Sequence, residues 1–260
     1  MSRLAQIHRE FQESLKALPR VNKADVADEC VGSEVLEAFR PIQSRVCCSF
    51  AKGATVWAPQ RANDLDIPLL TRVASDEGRR AHIDGFLVHI RAAEVITNEA
   101  DMARVVGAVL SAYSDADPAR IHCLRRPSRI IQSRHWAFEF NGESFFVTTF
   151  SNIYGKTHPR YTYGACDDRS VFILLQPEYS FAYRGLDGSD HATPTDYAAP
   201  RSDRDKIRAA FRAAGQDYVR DGDPGGLRAA HQLVRGSDDA YGSRVVDWWS
   251  APASLSSLIA

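Results

Sequence analysis

The residues best equipped for chemistry lie between Ser151 and Phe181. There the chain reads Ser-Asn-Ile-Tyr-Gly-Lys-Thr-His-Pro-Arg-Tyr, a loop of aromatic and basic residues set between two strongly apolar segments. Loops held by rigid strands commonly carry function. Pro159 fixes the chain direction just after His158. An imidazole so placed has three roles open to it: iron ligand, general base, or hydrogen-bond partner of a carbonyl. Elsewhere the signals are weaker. His82 and His89 are seven apart in a segment that reads as a strand, which puts them on opposite faces and argues against a shared metal. Cys47-Cys48 are adjacent and read as packed small residues. Asp167-Asp168 and Asp238-Asp239 read as solvated turns, and Trp248-Trp249 as a packing anchor.

Several chemistries have no motif here. No GxGxxG follows a strand, and there is no P-loop, HExxH or GxSxG elbow. Ser, His and Asp are plentiful, yet nothing in their spacing selects a hydrolase triad. The five cysteines are irregularly spaced without a CxxC pair, so neither a zinc knuckle nor a thioredoxin motif is indicated. Reduced thiols in a cytoplasmic protein are the expectation. The formal net charge of −1 argues against a general nucleic-acid or anionic-membrane partner. No N-terminal apolar run reads as a signal peptide, and no window is long enough to span a bilayer. With 44% apolar and 25% charged residues, the composition is that of a soluble globular protein, read as one domain over residues 1–260 with a flexible tail after Trp249.

The elements that must position the 151–181 segment follow from periodicity. Leu4, Ile7, Phe11, Leu15 and Leu18 recur at helical spacing before Pro19. Ser33 is placed to cap a short helix carrying Val35, Leu36 and Phe39, ending at Pro41. Thr55-Val56-Trp57 reads as a strand and residues 60–78 as a polar loop. Phe86, Val88 and Ile90 alternate as in a strand, and Asn98 caps a helix through Tyr113. Trp136, Phe138 and Phe140 alternate with polar residues, then Asn141-Gly142 precedes an apolar run to Phe150, which predicts a tight-turned hairpin over 136–150. A strand follows at Val171 to Leu175, stopped by Pro177. Arg201 to Arg220 reads as a helix with Ile207, Phe211, Ala214 and Tyr218 inward, and a short helix follows Pro224. The segment from Asp187 to Asp203 reads as the most mobile loop. Helices flanking an antiparallel hairpin favour α+β, with a mostly antiparallel sheet.

Two blocks together resemble the YqcI/YcgG family. Val46-Cys47-Cys48-Ser49-Phe50 is similar to its apolar-Pro-Cys-small-Phe motif, with Cys47 in place of the proline. Phe138-Glu139-Phe140-Asn141-Gly142-Glu143-Ser144-Phe145-Phe146-Val147 is similar to its Phe-x-Phe-x-Gly-x-x-Phe-Phe-Val block. His158-Pro159-Arg160 resembles the family's His-Pro loop with its following Arg, and Gln176-Pro177-Glu178-Tyr179-Ser180-Phe181 its Asn/Gln-Pro segment, with Glu178 where many relatives have His. The resemblance covers about a quarter of the chain by inspection.

The resemblance implies a haem-dependent monooxygenase. It would hold haem b and use dioxygen with two electrons from a donor of unknown identity to N-hydroxylate L-arginine. Another amino acid or guanidine as substrate, and a haem-binding protein without turnover, remain open, as does a homo-oligomer. Under it, His158 is the expected iron ligand with Cys48 competing. Trp136, Phe138, Phe140, Phe145 and Phe150 would wall the porphyrin, and Arg160 and Lys156 would face its propionates. Glu178, ahead of Glu139 and Glu143, is the expected carboxylate for the substrate guanidinium, with Arg134 or Arg169 for its carboxylate. Glu143, beside the turn, reads as solvated.

Overall fold

The computed structural model describes residues 34–46, 57–59, 63–164, 167–184, 198–199, 203–213, 215–216, 228–236, 245–250 and 255–258. The helix expected over residues 4–18, the Cys47-Cys48 pair and most of the 187–203 loop lie outside them.

The sheet has five strands: β1 (Trp57–Pro59), β2 (Gly85–Arg91), β3 (Phe138–Phe140), β4 (Glu143–Ser151) and β5 (Ser170–Pro177), in the order β1-β2-β5-β4-β3. Only the short β1–β2 pair is parallel; β2–β5, β5–β4 and β4–β3 are antiparallel. The fold is therefore α+β around a mostly antiparallel sheet. The Asn141-Gly142 hairpin sits where the alternation places it, with both turn residues at positive φ (50° and 79°), as a type I′ turn requires. Asp117, buried in a loop, reinforces that turn: its carboxylate accepts from the amides of Ala119, Ile121 and Asn141 at 3.1, 2.8 and 2.7 Å.

Helices cover both faces of the sheet. On the larger face, Phe86, Val88, Ile90, Phe145, Val147, Ile173 and Leu175 meet α4 (Glu99–Asp115), α2 (Ile67–Val73) and α8 (Ala229–Leu233). On the other, Leu87, Phe150, Phe172 and Leu174 meet α1 (Glu34–Val46) through Val35, Phe39 and Ile42, and α7 (Asp203–Ala213) through Phe211. The central strands β2 and β5 are buried on both faces, which explains their nearly continuous apolar composition.

Five readings differ from the structure, the helix expected to Arg220 among them, which ends at Ala213 with a turn at Gly215 (φ 79°) after it. The helix starting at Glu34 does not end at Pro41 but runs to Val46. Its apolar stripe continues at Ile42, and burying that side chain offsets the hydrogen bond that the proline cannot donate. Residues 60–78 are not one loop. They hold α2 and α3 (Asp76–Arg80), whose start signals are Asp66 accepting from Leu69 N and Ser75 accepting from Glu77 N. His82 lies in a turn at φ 53° before β2 begins, so it shares no strand with His89. Pro177 does not stop the last strand short; it pairs with Phe145, and α6 (Glu178–Arg184) follows at once.

Trp248 is a packing anchor: it is fully buried, its ring 6.0 Å from that of Trp136, and its Nε1 donates to Ala230 O at 2.8 Å. Beyond it, Leu255–Ser257 forms a 3-10 turn, and the Leu258 carbonyl accepts from Ala93 N at 2.8 Å. Among the described residues no helix is long and apolar enough to cross a membrane.

Candidate functional site

Where β4 ends, the chain folds back on itself through three loop bonds: Tyr154 N to Ser151 O, His158 N to Gly155 O and Tyr161 N to His158 O. Tyr154 drops its ring into the larger core, and its hydroxyl meets the backbone of Arg235, accepting from N at 3.2 Å and lying 3.4 Å from O. His158 stacks on that ring, centroids 4.3 Å apart and planes 14° apart, with only 4% of its surface exposed. Its Nδ1 accepts from the Arg160 amide at 3.1 Å. That contact assigns the proton of the neutral imidazole to Nε2.

Arg160 is also buried, but its guanidinium serves the protein's own backbone. Nη1 donates to Leu233 O at 2.7 Å and lies 3.4 Å from Thr149 Oγ1, while Nη2 donates to Gln232 O. These are the last carbonyls of α8, which have no partner within the helix and face a cation favourably. Thr149 Oγ1 donates to Leu233 O at 2.7 Å, Arg235 Nη2 donates to Gln232 Oε1, and Gln216 Nε2 lies 3.4 Å from His158 O. The result is a buried polar cluster of Thr149, Tyr154, His158, Arg160, Gln216, Gln232 and Arg235. Sequence reasoning found only His158 and Arg160. Gln216, Gln232 and Arg235 stand 58 to 81 residues from their loop partners, so no local spacing reveals them. Thr149 left one trace: a polar residue at a core-facing position of β4, in phase with Phe145 and Val147.

The remaining candidates are dispersed. Trp136 and Phe138 pack in the larger core, whereas Phe150 belongs to the opposite face, edge-on to Phe39 at 5.6 Å. Phe140 and Phe145 share the face of Trp136 and Phe138, and the two-residue period of β4 sends position 150 to the other side, so the five aromatics do not wall one slot. Lys156 is exposed on the loop. Glu178 is exposed at the start of α6, beside the Phe145–Pro177 pair and thus at the end of β4–β5 away from His158. Glu139 pairs with Arg126 at 3.0 Å. Glu143 is not a solvated turn residue: it is buried and paired with Arg79, whose guanidinium lies 5.5 Å from the Tyr179 ring centre. Arg134 and Arg169 are exposed, and Cys48 lies outside the described residues.

A second polar chain went unforeseen. His89 Nε2 is 3.1 Å from Ser170 Oγ, which donates to Asp167 Oδ1 at 3.0 Å, and Asp167 pairs with Arg91 at 2.9 Å. Here the hydroxyl stands between imidazole and carboxylate, so its proton goes to Asp167 and the carboxylate does not orient the ring. A nucleophilic relay needs the opposite order. Burial, then the Arg91 charge, lowers the His89 pKa to about 4, so the imidazole is neutral in ordinary buffers.

The imidazole of His158 meets one requirement of an axial haem ligand, burial; a ligating histidine donates its other ring N–H, whereas Nδ1 here accepts from the Arg160 amide, so iron at Nε2 would have to displace the proton that this contact puts there. The aromatic walls and the Arg160 role expected from the sequence do not fit. Comparison of the chain with family models, characterised proteins and solved structures gives no match.

Proposed function

We propose that this chain binds haem b beside the His158 loop and hydroxylates a nitrogen of a small amine or guanidine, L-arginine first among them, using dioxygen and two electrons. The reaction is taken from the resemblance to the YqcI/YcgG family. The observation that carries its placement is the buried, doubly held imidazole of His158 at the end of the hairpin. Haem, when bound, supplies the oxygen activation that no side chain of this chain provides.

The chain's own residues do the positioning. Tyr154 and the Arg160 amide fix the plane and rotation of the imidazole. Arg160 anchors that loop to α8 through Gln232 and Leu233, so the imidazole cannot drift with a mobile loop. Lys156 is the cation on the loop still facing solvent and suits a propionate. The exposed Glu178 is distant from His158, which removes the reason for giving it the substrate guanidinium. That distance favours a second reading, a haem carrier or sensor without turnover.

The decisive experiment is the absorption spectrum of purified full chain reconstituted with hemin, oxidised and then reduced under carbon monoxide. The expected outcome is a Soret band with the carbon monoxide signature of imidazole ligation, and at least a roughly tenfold loss of hemin affinity in His158→Ala, the loss typical of weakened metal-site support. A thiolate signature that disappears in Cys48→Ala transfers the ligand role to that cysteine. Absence of any Soret band overturns the reading. Incubation with arginine and an amine panel, reductant and oxygen then separates N-hydroxylation from mere haem binding.

A further inference from the structure

Of the chain's five asparagines, only Asn141 is followed by glycine. Asparagine is among the thermolabile residues, and a following glycine removes the Cβ that otherwise shields the next backbone nitrogen from the carboxamide. Here the pair sits at the tip of the β3–β4 turn. Gly142 is exposed at φ 79°, and a Cβ built on it would meet nothing within 4 Å, so the tip stands open to water.

The half-buried side chain of Asn141 links this turn to α2. Its Nδ2 donates to Ala74 O at 3.2 Å and lies 3.5 Å from Thr71 O. Both oxygens stand at the C-terminal end of α2, where carbonyls have no partner within the helix and where negative charge is disfavoured. The Asn141 amide donates to the buried Asp117 carboxylate at 2.7 Å. The position therefore suits a neutral donor and has no place for an anion. A carboxylate there would face two carbonyl oxygens, with the charge of Asp117 beside it. The hold on the carboxamide is also weak, because both contacts lie at or beyond roughly 3.2 Å, the long end of an N–H···O bond.

We propose that Asn141 is a site of spontaneous deamidation in the folded chain, and that its conversion releases the hairpin from α2. The Gly142 nitrogen bonds to Asn141 Cγ as the Cγ–Nδ2 bond breaks, and the proton from that nitrogen leaves with the amino group as ammonia. Water then opens the cyclic imide. Cleavage of the new N–Cγ bond gives aspartate, and cleavage at the main-chain carbonyl gives isoaspartate. Nothing is oxidised or reduced. The isoaspartyl product routes the backbone through the side chain, so the two-residue connection between the paired Phe140 and Glu143 gains a methylene and loses its type I′ geometry. Either product replaces the donor to α2 by a carboxylate. The step runs one way and needs neither a partner nor a cofactor.

The test incubates the folded full chain in mildly alkaline buffer, with a guanidinium-unfolded sample alongside, and follows both by peptide mass mapping. The folded chain is expected to gain the mass difference between amide and acid in the peptide that holds residues 141 and 142, as aspartate and isoaspartate together. Its urea denaturation midpoint should fall in step. Gly142→Ala has room for its methyl, so it should stay folded and lose most of the conversion. Freshly purified Asn141→Asp should show a lowered midpoint without incubation. Absence of conversion in the folded chain overturns the proposal, whether or not the unfolded sample converts, because the fold would then guard the pair. So does conversion that leaves the midpoint unchanged, or a wild-type midpoint in Asn141→Asp, because the carboxamide would then not hold the hairpin to α2. The hemin spectrum decides the proposed function separately, and neither result changes the other.

Discussion

His89 and Asp117 show what buried polar residues contribute when they do not take part in chemistry. With its folded pKa lowered to about 4, His89 takes up a proton far less readily than in the unfolded chain. Its contribution is therefore fully present above the unfolded value, near 6.5, and is lost as pH falls toward 4, by at most roughly 3 kcal/mol. Urea unfolding at pH 7 and pH 4.5 should show wild type losing more stability than His89→Gln over that interval; equal losses would remove the assignment. Asp117→Ala leaves the amides of Ala119, Ile121 and Asn141 without their acceptor. The expected cost is about 3 kcal/mol, seen as a lower denaturation midpoint. Neither role was legible in the sequence. A lone histidine and a lone aspartate carry no sign of the partners that a sheet register and a loop bring to them, whereas His158 announced itself through the proline beside it and the apolar strands around it.

At the scale of elements, the legible parts were those specified locally. The Asn-Gly turn, the Asn98 cap and the alternation of β3 and β4 each occupy a few consecutive residues, and each formed where the pattern placed it. What went unread was α2 and α3, two short helices whose caps are single residues inside a polar stretch, and the continuation of α1 past Pro41, decided by burial of Ile42 from above the sheet. Two glycines separate conformational from packing requirements. Gly142 needs its positive φ, but an added Cβ meets nothing within 4 Å, so Gly142→Ala should cost about 1 kcal/mol. Gly78 has no such backbone demand; an added Cβ would lie 2.3 Å from Val73 O and 2.8 Å from the Tyr179 hydroxyl, which itself donates to Val73 O. Gly78→Ala should cost about 3 kcal/mol, the upper end for overpacking a rigid contact. Thermal unfolding of the two variants should rank Gly78→Ala below Gly142→Ala, and the reverse order would show that α3 can shift on α2.

Across the whole molecule, antiparallel register decides which candidates can act together. The motif order along the chain put His158 and Glu178 twenty residues apart, close enough in sequence to imagine one site. Yet β4 and β5 run between them in opposite directions, and the paired positions step from Phe145–Pro177 at one end to Ser151–Val171 at the other. The six steps between them span about 20 Å at the rise of an extended strand. The His158 loop follows the Ser151 end, with Arg160 reaching Thr149 there, and Glu178 follows the Pro177 end, so the register sets iron at the first apart from a carboxylate at the second. The same two-residue period that made the hairpin legible also parts Phe138 from Phe150, because an odd number of steps through the strand changes face once the turn is accounted for. Glu178→Gln is therefore expected to leave both hemin affinity and the half-saturating arginine concentration at wild-type values, while His158→Ala lowers hemin affinity. Titration of hemin by absorbance and of arginine by N-hydroxylated product measures the two independently. A rise in half-saturating arginine for Glu178→Gln with hemin binding intact would mean that substrate and iron meet at the α6 end of the sheet, and would move the haem away from the His158 loop altogether.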